Sequence, residues 1–185
     1  MISNRKNIVI ASILVLILTG CALAVKSKWQ FLYLEKYDIS IEMPGKARHF
    51  NMSSQTASSS LSYDEWLVND DETNSQYFLI LQKIESEQYK GKPDSWLLEN
   101  VPHPNVGFMV KAKELSKERE YQGKLIYDEQ IWQVDKRQGA VTRTYAIKDM
   151  MVQLIHLYRK NAPAELERIR FMDSIKFESN SNKME

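Results

Sequence analysis

The chain has 185 residues, and its 25 Lys and Arg residues nearly balance its 24 Asp and Glu residues. A nucleic-acid-binding protein needs an excess of basic residues to neutralise phosphates, so this balance argues against nucleic acid as a partner. The single cysteine excludes an internal disulfide, and an apolar content of 43% is enough for one packed core. We therefore expect one domain of ordinary size that is stabilised by packing.

The amino terminus has the layout of an export signal. A short polar start carries Arg5 and Lys6, an apolar run extends from Ile8 to Leu18, and small residues follow. Positive charges hold the start of such a signal in the cytoplasm while the rest crosses the membrane. The apolar run is shorter than the roughly 20 residues that a spanning helix needs. These features predict a signal peptide over residues 1–20.

The segment Leu18-Thr19-Gly20-Cys21 resembles the lipobox of bacterial lipoproteins, in which an aliphatic residue, a small residue and Gly or Ala precede Cys. The resemblance implies that Cys21 receives a diacylglycerol and becomes the acylated first residue after cleavage. Two or more acyl chains anchor a protein stably to a membrane, whereas one chain gives only marginal attachment. No Asp follows Cys21 to resemble the inner-membrane retention signal of enteric bacteria. We therefore expect the outer membrane, on its periplasmic side.

Two other interpretations of this segment stay open. Residues 8–25 could remain as an uncleaved anchor, because Cys, Ala and Leu continue the apolar stretch. Alternatively, Ala22-Leu23-Ala24 resembles an ordinary signal-peptidase site, and cleavage there would release a soluble secreted form.

Alternation of apolar and polar side chains predicts strands throughout the rest of the chain. After a short lead-in over residues 21–34, residues 37–43 alternate and Pro44-Gly45 ends the strand. Residues 53–60 are polar and small, as in a loop or a solvated sheet edge. Six further stretches between turn signals are predicted to be strands, of which 140–147 alternates again, and the last four imply an antiparallel meander with short turns. These six strands cover residues 61–68, 77–84, 114–121, 125–134, 140–147 and 151–158.

Two helices are also expected. Pro93 and Asp94 signal the start of a short helix that Pro102 stops. Asn161 caps the second helix, with Pro163 in its first turn. The residues that recur at helical spacing, and that we expect to pack on the sheet, are Leu166, Ile169, Met172 and Ile175.

The order of these elements resembles the Mog1/PsbP-type fold, an antiparallel β-sheet with helices packed against it. The resemblance rests on the stretches "YDISIEMPGKA", "YQGKLIYDE", "AVTRTYAIKDMMVQLIHLYRK" and "FMDSIKF". It implies the α+β class for a single domain over residues 35–178, before a tail at 179–185 that we expect to be disordered. Known members mostly bind or support other proteins, so the resemblance implies a non-catalytic role. Residues 86–113 are where this chain could depart from the family, and partner sites could lie there.

Candidate residues for catalysis or metal binding are few. His49, His103 and His156 are far apart, and no two lie at a spacing typical of metal ligands. We expect His156 to be an ordinary histidine of the sheet, whereas His103, between two prolines, could belong to a binding loop. The acidic segment Asp70-Asp71-Glu72 lacks the alternating ligands and central glycine of a calcium loop, so we expect a solvated turn.

The remaining motifs also favour structural roles. The four tryptophans, at positions 29, 66, 96 and 132, are expected to pack in the core or between helix and sheet rather than to form a sugar platform. The basic residues between Lys111 and Arg119 alternate with glutamates, as on a solvated face. The sequence has no phosphate-binding glycine loop and no Gly-x-Ser-x-Gly elbow. We therefore expect no enzymatic activity, no cofactor and no metal.

Three functions fit these features in decreasing order. The first is a non-catalytic lipoprotein of the cell envelope, held at the membrane by acyl chains on Cys21, that binds an envelope or secretion-machine protein through an exposed apolar patch. The second is a carrier or sensor of a small apolar ligand, which would need a closed apolar cavity between the sheet and the helices. The third is a wall or lipid hydrolase, which would need polar residues with shifted pKa values in one cleft.

Overall fold

The computed structural model describes residues 28–55, 60–102, 111–147, 149–160 and 165–178. Within these ranges the chain forms strands, two α-helices and short 3₁₀ turns at Glu35–Tyr37 and Glu87–Tyr89. None of the helices in these ranges is long and apolar enough to cross a membrane. In chain order the elements are β1 (Gln30–Leu34), β2 (Ile39–Met43), β3 (Arg48–Gln55), β4 (Ser60–Asp70), β5 (Ser75–Lys83), α1 (Asp94–Asn100), β6 (Lys113–Gln122), β7 (Leu125–Gln133), β8 (Gln138–Ile147), β9 (Met150–Arg159), α2 (Glu165–Asp173) and β10 (Lys176–Phe177).

The strands form two antiparallel sheets, whereas the sequence led us to expect one. Seven strands lie in the order β3-β4-β5-β9-β8-β7-β6, and three lie in the order β1-β2-β10. The meander predicted from β6 to β9 is confirmed, because these strands are consecutive neighbours. The two sheets separate at Gly45, where φ is +142° and the backbone N–H bonds to the Met43 carbonyl at 2.8 Å. This sharp turn directs the chain out of β2 and into the larger sheet.

The small sheet begins before the predicted start of the domain. We expected residues 21–34 to be a lead-in, but β1 pairs with β2 along its whole length, from Gln30 opposite Met43 to Leu34 opposite Ile39. Leu32 and Leu34 pack against the core. The folded domain therefore includes β1.

The main core lies between the two sheets. From the small sheet, Ile39, Ile41 and Met43 are buried, as the predicted alternation requires. Each fully buried side chain of this size stabilises the fold by about 1.5–3 kcal/mol. The larger sheet, α2 and the short segment after α2 contribute the other buried side chains, Trp66, Val68, Tyr77, Leu79, Leu81, Tyr127, Val141, Tyr145, Val152, Leu154, Phe171, Met172 and Ile175.

The prediction that the apolar residues of α2 pack on the sheet is wrong for the first half of the helix. Leu166 and Ile169 are exposed, whereas Phe171, Met172 and Ile175 are buried. Only the carboxyl end of the helix packs on the core. There, Arg143 of β8 donates hydrogen bonds to the Met172 carbonyl at 3.1 Å and to Asp173 at 2.8 Å. Earlier in the helix the contacts with the domain are ion pairs, between Glu167 and Lys28 and between Arg170 and Glu42, so the apolar residues there remain outside.

The opposite face of the larger sheet is covered in part by α1. The helix begins at Asp94 after Pro93, as predicted, and it buries Leu97 and Leu98. These two side chains pack with Ile84, Ala146 and Met151. A second buried cluster on this face comprises Phe78, Ile80, Ala140, Ile155 and Leu157.

Candidate interaction surface

Several predictions from the sequence analysis fall outside the described residues. They concern the export signal with Arg5 and Lys6, the lipobox Leu18 to Cys21, the loop histidine His103, the helix-start residues Asn161 and Pro163, and the tail at 179–185. The candidate sites considered below therefore lie on the surface of the described domain.

The larger sheet ends in two outer strands, β3 and β6. Among the described residues, neither strand pairs with another strand on its outer side. An outer strand exposes a row of backbone N–H and C=O groups, to which a further strand can add. Proteins often protect such edges with charged side chains, so the number of charged residues in each strand indicates how open that edge is to a further strand.

Strand β3 has little such protection. Its sequence, RHFNMSSQ, contains one formal charge, on Arg48. Phe50 and Met52 are 38% and 41% exposed, and they lie on the same face of the strand because they are two residues apart. The Arg48 guanidinium lies 5.9 Å from the centre of the Phe50 ring. On this face β3 itself contributes two apolar side chains and one cation, and Glu65 of β4 stands opposite Phe50.

On its other face, β3 carries a hydrogen-bonded cluster around Asp64 of β4. His49 Nε2 lies 2.9 Å from Asp64 Oδ1, and Asn51 Nδ2 donates to the same oxygen at 3.1 Å. The Tyr37 hydroxyl donates to Asp64 Oδ2. The His49 ring stacks on Trp66 with their centres 4.6 Å apart. The cluster fixes the orientation of β3 against β4 and the turn after β1.

The Asp64 cluster favours an ionised carboxylate. Partial burial opposes ionisation, but the hydrogen bonds from Tyr37, His49 and Asn51 outweigh it and lower the pKa of Asp64. An Asp–His pair can also orient a histidine for proton transfer. However, no described serine, threonine or cysteine side chain is hydrogen-bonded to His49, so a nucleophile is lacking here.

Sequence reasoning missed the Asp64 cluster. His49 and Asp64 are 15 positions apart, and no motif connects them. They meet because Asn51 stands directly opposite Asp64 in the β3–β4 pair. A β3–β4 register assigned from the sequence would have placed His49 near Asp64. No such register was assigned, because residues 53–60 were expected to form a loop or a solvated edge.

Strand β6, at the opposite edge, is heavily charged. Six of its ten residues are Lys, Arg or Glu. This stretch is largely exposed, as expected for a solvated face, and two of its cations also bind the buried carboxylate of Asp128. Lys117 Nζ lies 2.9 Å from Asp128, and Arg119 Nε lies 2.7 Å from it. Arg119 also reaches Glu99 of α1 at 2.8 Å. These charges oppose the addition of another strand at this edge.

The predicted sheet histidine, His156, lies deep in the main core. Its ring lies between those of Tyr77 and Tyr158, with centres 4.6 and 5.3 Å away. Within the described part of the chain, neither ring nitrogen has a hydrogen-bond partner. Burial, and to a smaller extent the positive charge of Arg168, lowers the pKa of His156 to about 3. The ring is therefore neutral at physiological pH and is closed off from any substrate.

The turn predicted between β4 and β5 is present, but the expected solvation of the whole acidic segment at 70–72 is wrong, because Asp70 is the last residue of β4 and its side chain lies inside. Asp70 is buried and accepts hydrogen bonds from Lys28 Nζ at 3.0 Å and from the Thr73 hydroxyl at 2.7 Å. Glu72 also binds Lys28, at 3.2 Å. In the described part of the chain, no three His, Cys, Asp or Glu side chains are grouped as a metal site requires. The turn thus joins the start of the domain to the larger sheet.

The four tryptophans have the expected packing role. Trp66 belongs to the main core, and Trp29 packs against it. Trp96 packs on the α1 cluster, and Trp132 packs on the second cluster of that face. The indole of Trp132 also donates a hydrogen bond to Thr142 at 3.1 Å. None of them forms an open platform.

A surface depression of about 430 Å³ lies before α1. Ile84 contributes to its floor, and its rim includes the exposed residues Lys90, Lys92 and Asp149. The depression opens to solvent between charged side chains. It therefore lacks the closed apolar form that a carrier of an apolar ligand would need.

Comparisons with known proteins give limited information. No model of a known protein family matches the chain, and no curated protein is significantly similar to it. Among solved structures, the chain is similar to the cyanobacterial PsbP protein CyanoP from Synechocystis sp. PCC 6803, with 9% sequence identity and a TM-score of 0.49. The match covers 84% of this chain and 95% of CyanoP. A PsbP-like protein is thus a structural neighbour, at a similarity too low to carry any statement about function.

Proposed function

We propose that this chain is a non-catalytic lipoprotein of the bacterial envelope that binds a partner protein along β3. Acyl chains on Cys21 hold it at the membrane, and the folded domain faces the periplasm. The observation that carries the binding role is the difference between the two outer strands of the larger sheet. Strand β3 has one formal charge and exposes Phe50 and Met52, whereas six of the ten residues of β6 are charged.

The partner that fits β3 is an extended segment of an envelope protein. Such a segment adds a strand through backbone hydrogen bonds, and its alternate side chains determine specificity. Apolar side chains of the segment would contact Phe50 and Met52, and an acidic side chain would pair with Arg48. The Asp64 cluster supports this role, because it holds β3 in place before binding and so reduces the ordering cost.

The anchor is supported by the layout of residues 1–21, and a mass measurement tests it. The protein purified from its own membrane fraction should begin at Cys21 and carry a diacylglycerol or triacyl adduct. A Cys21→Ser variant should lose membrane attachment or stay unprocessed. An unmodified full-length chain, or one that begins at Val25, would show that the segment is an uncleaved anchor or an ordinary signal.

Site-specific photocrosslinking tests the binding edge. A benzoylphenylalanine is placed at Met52, and in a matched control at Glu118 in the middle of β6. We expect position 52 to give one discrete adduct in cells, and peptide mapping should place the adduct in an extended segment of the partner. Position 118 should give none. A Phe50→Lys substitution should abolish the adduct, since it puts a charge on the apolar face. Equal adducts at both edges would refute the assignment of β3.

A carrier function is less well supported. It requires a closed apolar cavity, and the depression beside Ile84 is open and has a charged rim. A hydrolase is also less well supported, because the Asp64 cluster lacks a nucleophile among the described residues.

A further inference from the structure

The outer face of the small sheet carries two exposed aromatic side chains close to the point where the chain enters the domain. Phe31 is 66% exposed and Tyr33 is 45% exposed. Both lie on the face of β1 that points away from the core, because they alternate with Leu32 and Leu34, which pack inward. Exposed aromatic rings are costly in water unless another surface covers them.

The charges near Phe31 are compensated. Glu42 stands directly opposite Phe31 in the register of β1 and β2. The carboxylate of Glu42 accepts a hydrogen bond from Arg170 Nε at 2.5 Å. The same guanidinium lies 4.7 Å from the centre of the Trp29 ring. The positive charge of Arg170 therefore balances the negative charge of Glu42 beside Phe31.

The surroundings of Tyr33 are more acidic. Partial desolvation and the nearby carboxylates of Glu178, Asp38 and Glu35 raise the pKa of the Tyr33 hydroxyl. This end of the strand is less suited than the Phe31 end to approach an anionic lipid surface. The Phe31 end of β1 is thus better suited to contact lipid, and the Tyr33 end is better suited to stay in water.

The length of the chain before the domain limits which surface can reach a membrane. Seven peptide bonds join Cys21 to Lys28 and span at most about 25 Å. A compact domain of this size is about 40 Å across. The bilayer can therefore contact the side on which the chain enters, and Phe31 is three residues from that point of entry.

We propose that the Phe31–Tyr33 face of β1 lies in the headgroup region of the bilayer that holds Cys21, with the Phe31 end deeper. This inference rests on the acyl anchor proposed above. Phenylalanine and tyrosine are favourable at the interface, where one part of the ring contacts apolar chains and the tyrosine hydroxyl stays wet. The short tether keeps this face at a millimolar effective concentration, so a contact that is weak by itself becomes populated. The domain is thereby oriented as well as anchored.

Spin labels on the lipidated full-length protein test the orientation. Since acylation consumes the thiol of Cys21, a new cysteine is the single labelling site. Three variants are labelled, Phe31→Cys, Tyr33→Cys and the matched control Tyr121→Cys, whose position at the end of β6 is 71% exposed. Each is reconstituted into vesicles of phosphatidylethanolamine and phosphatidylglycerol. Collision rates with oxygen and with a water-soluble nickel chelate then give the depth of each label.

We expect the nickel accessibility to be severalfold lower at position 31 than at position 121, with position 33 between them. Circular dichroism checks that each variant is folded, and the Tyr33 variant supports the test if the Phe31 variant does not fold. Equal accessibility at 31, 33 and 121 in protein that floats with the vesicles would overturn the inference and leave the anchor intact. If Cys21 itself takes up label and the protein does not float, the anchor fails, and the inference fails with it.

Discussion

At the scale of single residues, the pair formed by Gly139 and Tyr158 explains a glycine inside a strand. A Cβ atom at position 139 would lie 2.8 Å from the Cζ and hydroxyl of Tyr158, which is closer than real contacts allow. The two residues face each other in the β8–β9 pair. The ring therefore lies over the glycine and covers the backbone that a glycine leaves open. The same ring stacks on His156.

His156 makes the stability of the protein depend on pH. Its pKa is about 3 in the folded state, where Tyr77 and Tyr158 enclose it and Arg168 and Asp70 act at longer range. Its pKa in the unfolded chain is about 6.5. The unfolded state therefore binds the proton first, so this contribution to stability is complete above pH 6.5 and is lost as the pH falls toward 3. The loss is about 1.4 kcal/mol per pH unit in that window.

A His156→Phe substitution should reduce this dependence. Phenylalanine keeps a ring between the two tyrosines but cannot take up a proton. We expect a smaller slope of the unfolding free energy between pH 5 and 6.5, measured by urea unfolding. Above pH 7 the curves of the two proteins should run parallel, which provides the control. An unchanged slope below pH 6.5 would show that His156 is not the group that titrates.

At the scale of elements, the strands could be predicted and their distribution between sheets could not. Alternation locates β2, whose two faces differ, whereas β5, β8 and β9 are buried on both faces and are located by apolar runs between turns. The separation into two sheets depends on the sharp turn at Gly45 and on the pairing of β10 with β2, across more than 130 residues. The orientation of α2 was wrong because helical spacing does not reveal which end of a helix is anchored. In this chain Arg143 anchors the carboxyl end.

The candidate site was less predictable than the strands. The apolar edge β3 was expected only as a loop or solvated edge over its second half. Its significance depends on strand order, since Phe50 and Met52 would be ordinary core residues if β3 lay inside the sheet. The Asp64 cluster likewise depends on register. The packing role of the four tryptophans and the position of His156 in the sheet were, in contrast, correctly predicted, because apolar residues surround them in the sequence.

Arg119 links α1 to the outer strand β6, and its removal should destabilise the protein. It binds Asp128, which is buried, and Glu99 of the helix. In an Arg119→Met variant Asp128 keeps Lys117 as its charged partner, so we expect a loss of about 1–3 kcal/mol in the unfolding free energy at pH 7. Urea unfolding measures this loss. The matched control is Lys124→Met in the exposed turn after β6, which should change stability by less than about 0.5 kcal/mol.

The Arg119 effect should weaken in acid. Burial of Asp128 opposes its ionisation, but the hydrogen bonds from Arg119 and Lys117 outweigh it and lower its pKa. A carboxylate with a lowered pKa contributes stability above its unfolded pKa of about 4 and loses it as the pH falls through the folded value. The difference between wild type and Arg119→Met should therefore shrink below about pH 4. A difference that is constant with pH would mean that Arg119 acts through packing alone.

At the scale of the whole molecule, both sheets share one core. Ile39, Ile41 and Met43 of the small sheet pack in the same cluster as Tyr77, Leu79 and Val152 of the larger sheet and Phe171 of α2. A core shared in this way couples the two sheets energetically. Each sheet alone would expose an apolar face, so neither is expected to remain folded without the other.

An Ile41→Ala substitution tests this coupling, since Ile41 belongs to the small sheet and is fully buried. Deletion of a buried isoleucine side chain usually costs about 2–5 kcal/mol. If the sheets form one cooperative unit, the whole unfolding transition should shift, and tryptophan fluorescence and far-UV circular dichroism should give the same midpoint. Ile169→Ala on the exposed side of α2 is the matched control and should change stability little, because alanine also favours the helix. Two separate transitions in the Ile41 variant would instead show that the small sheet can unfold while the seven-stranded sheet stays folded.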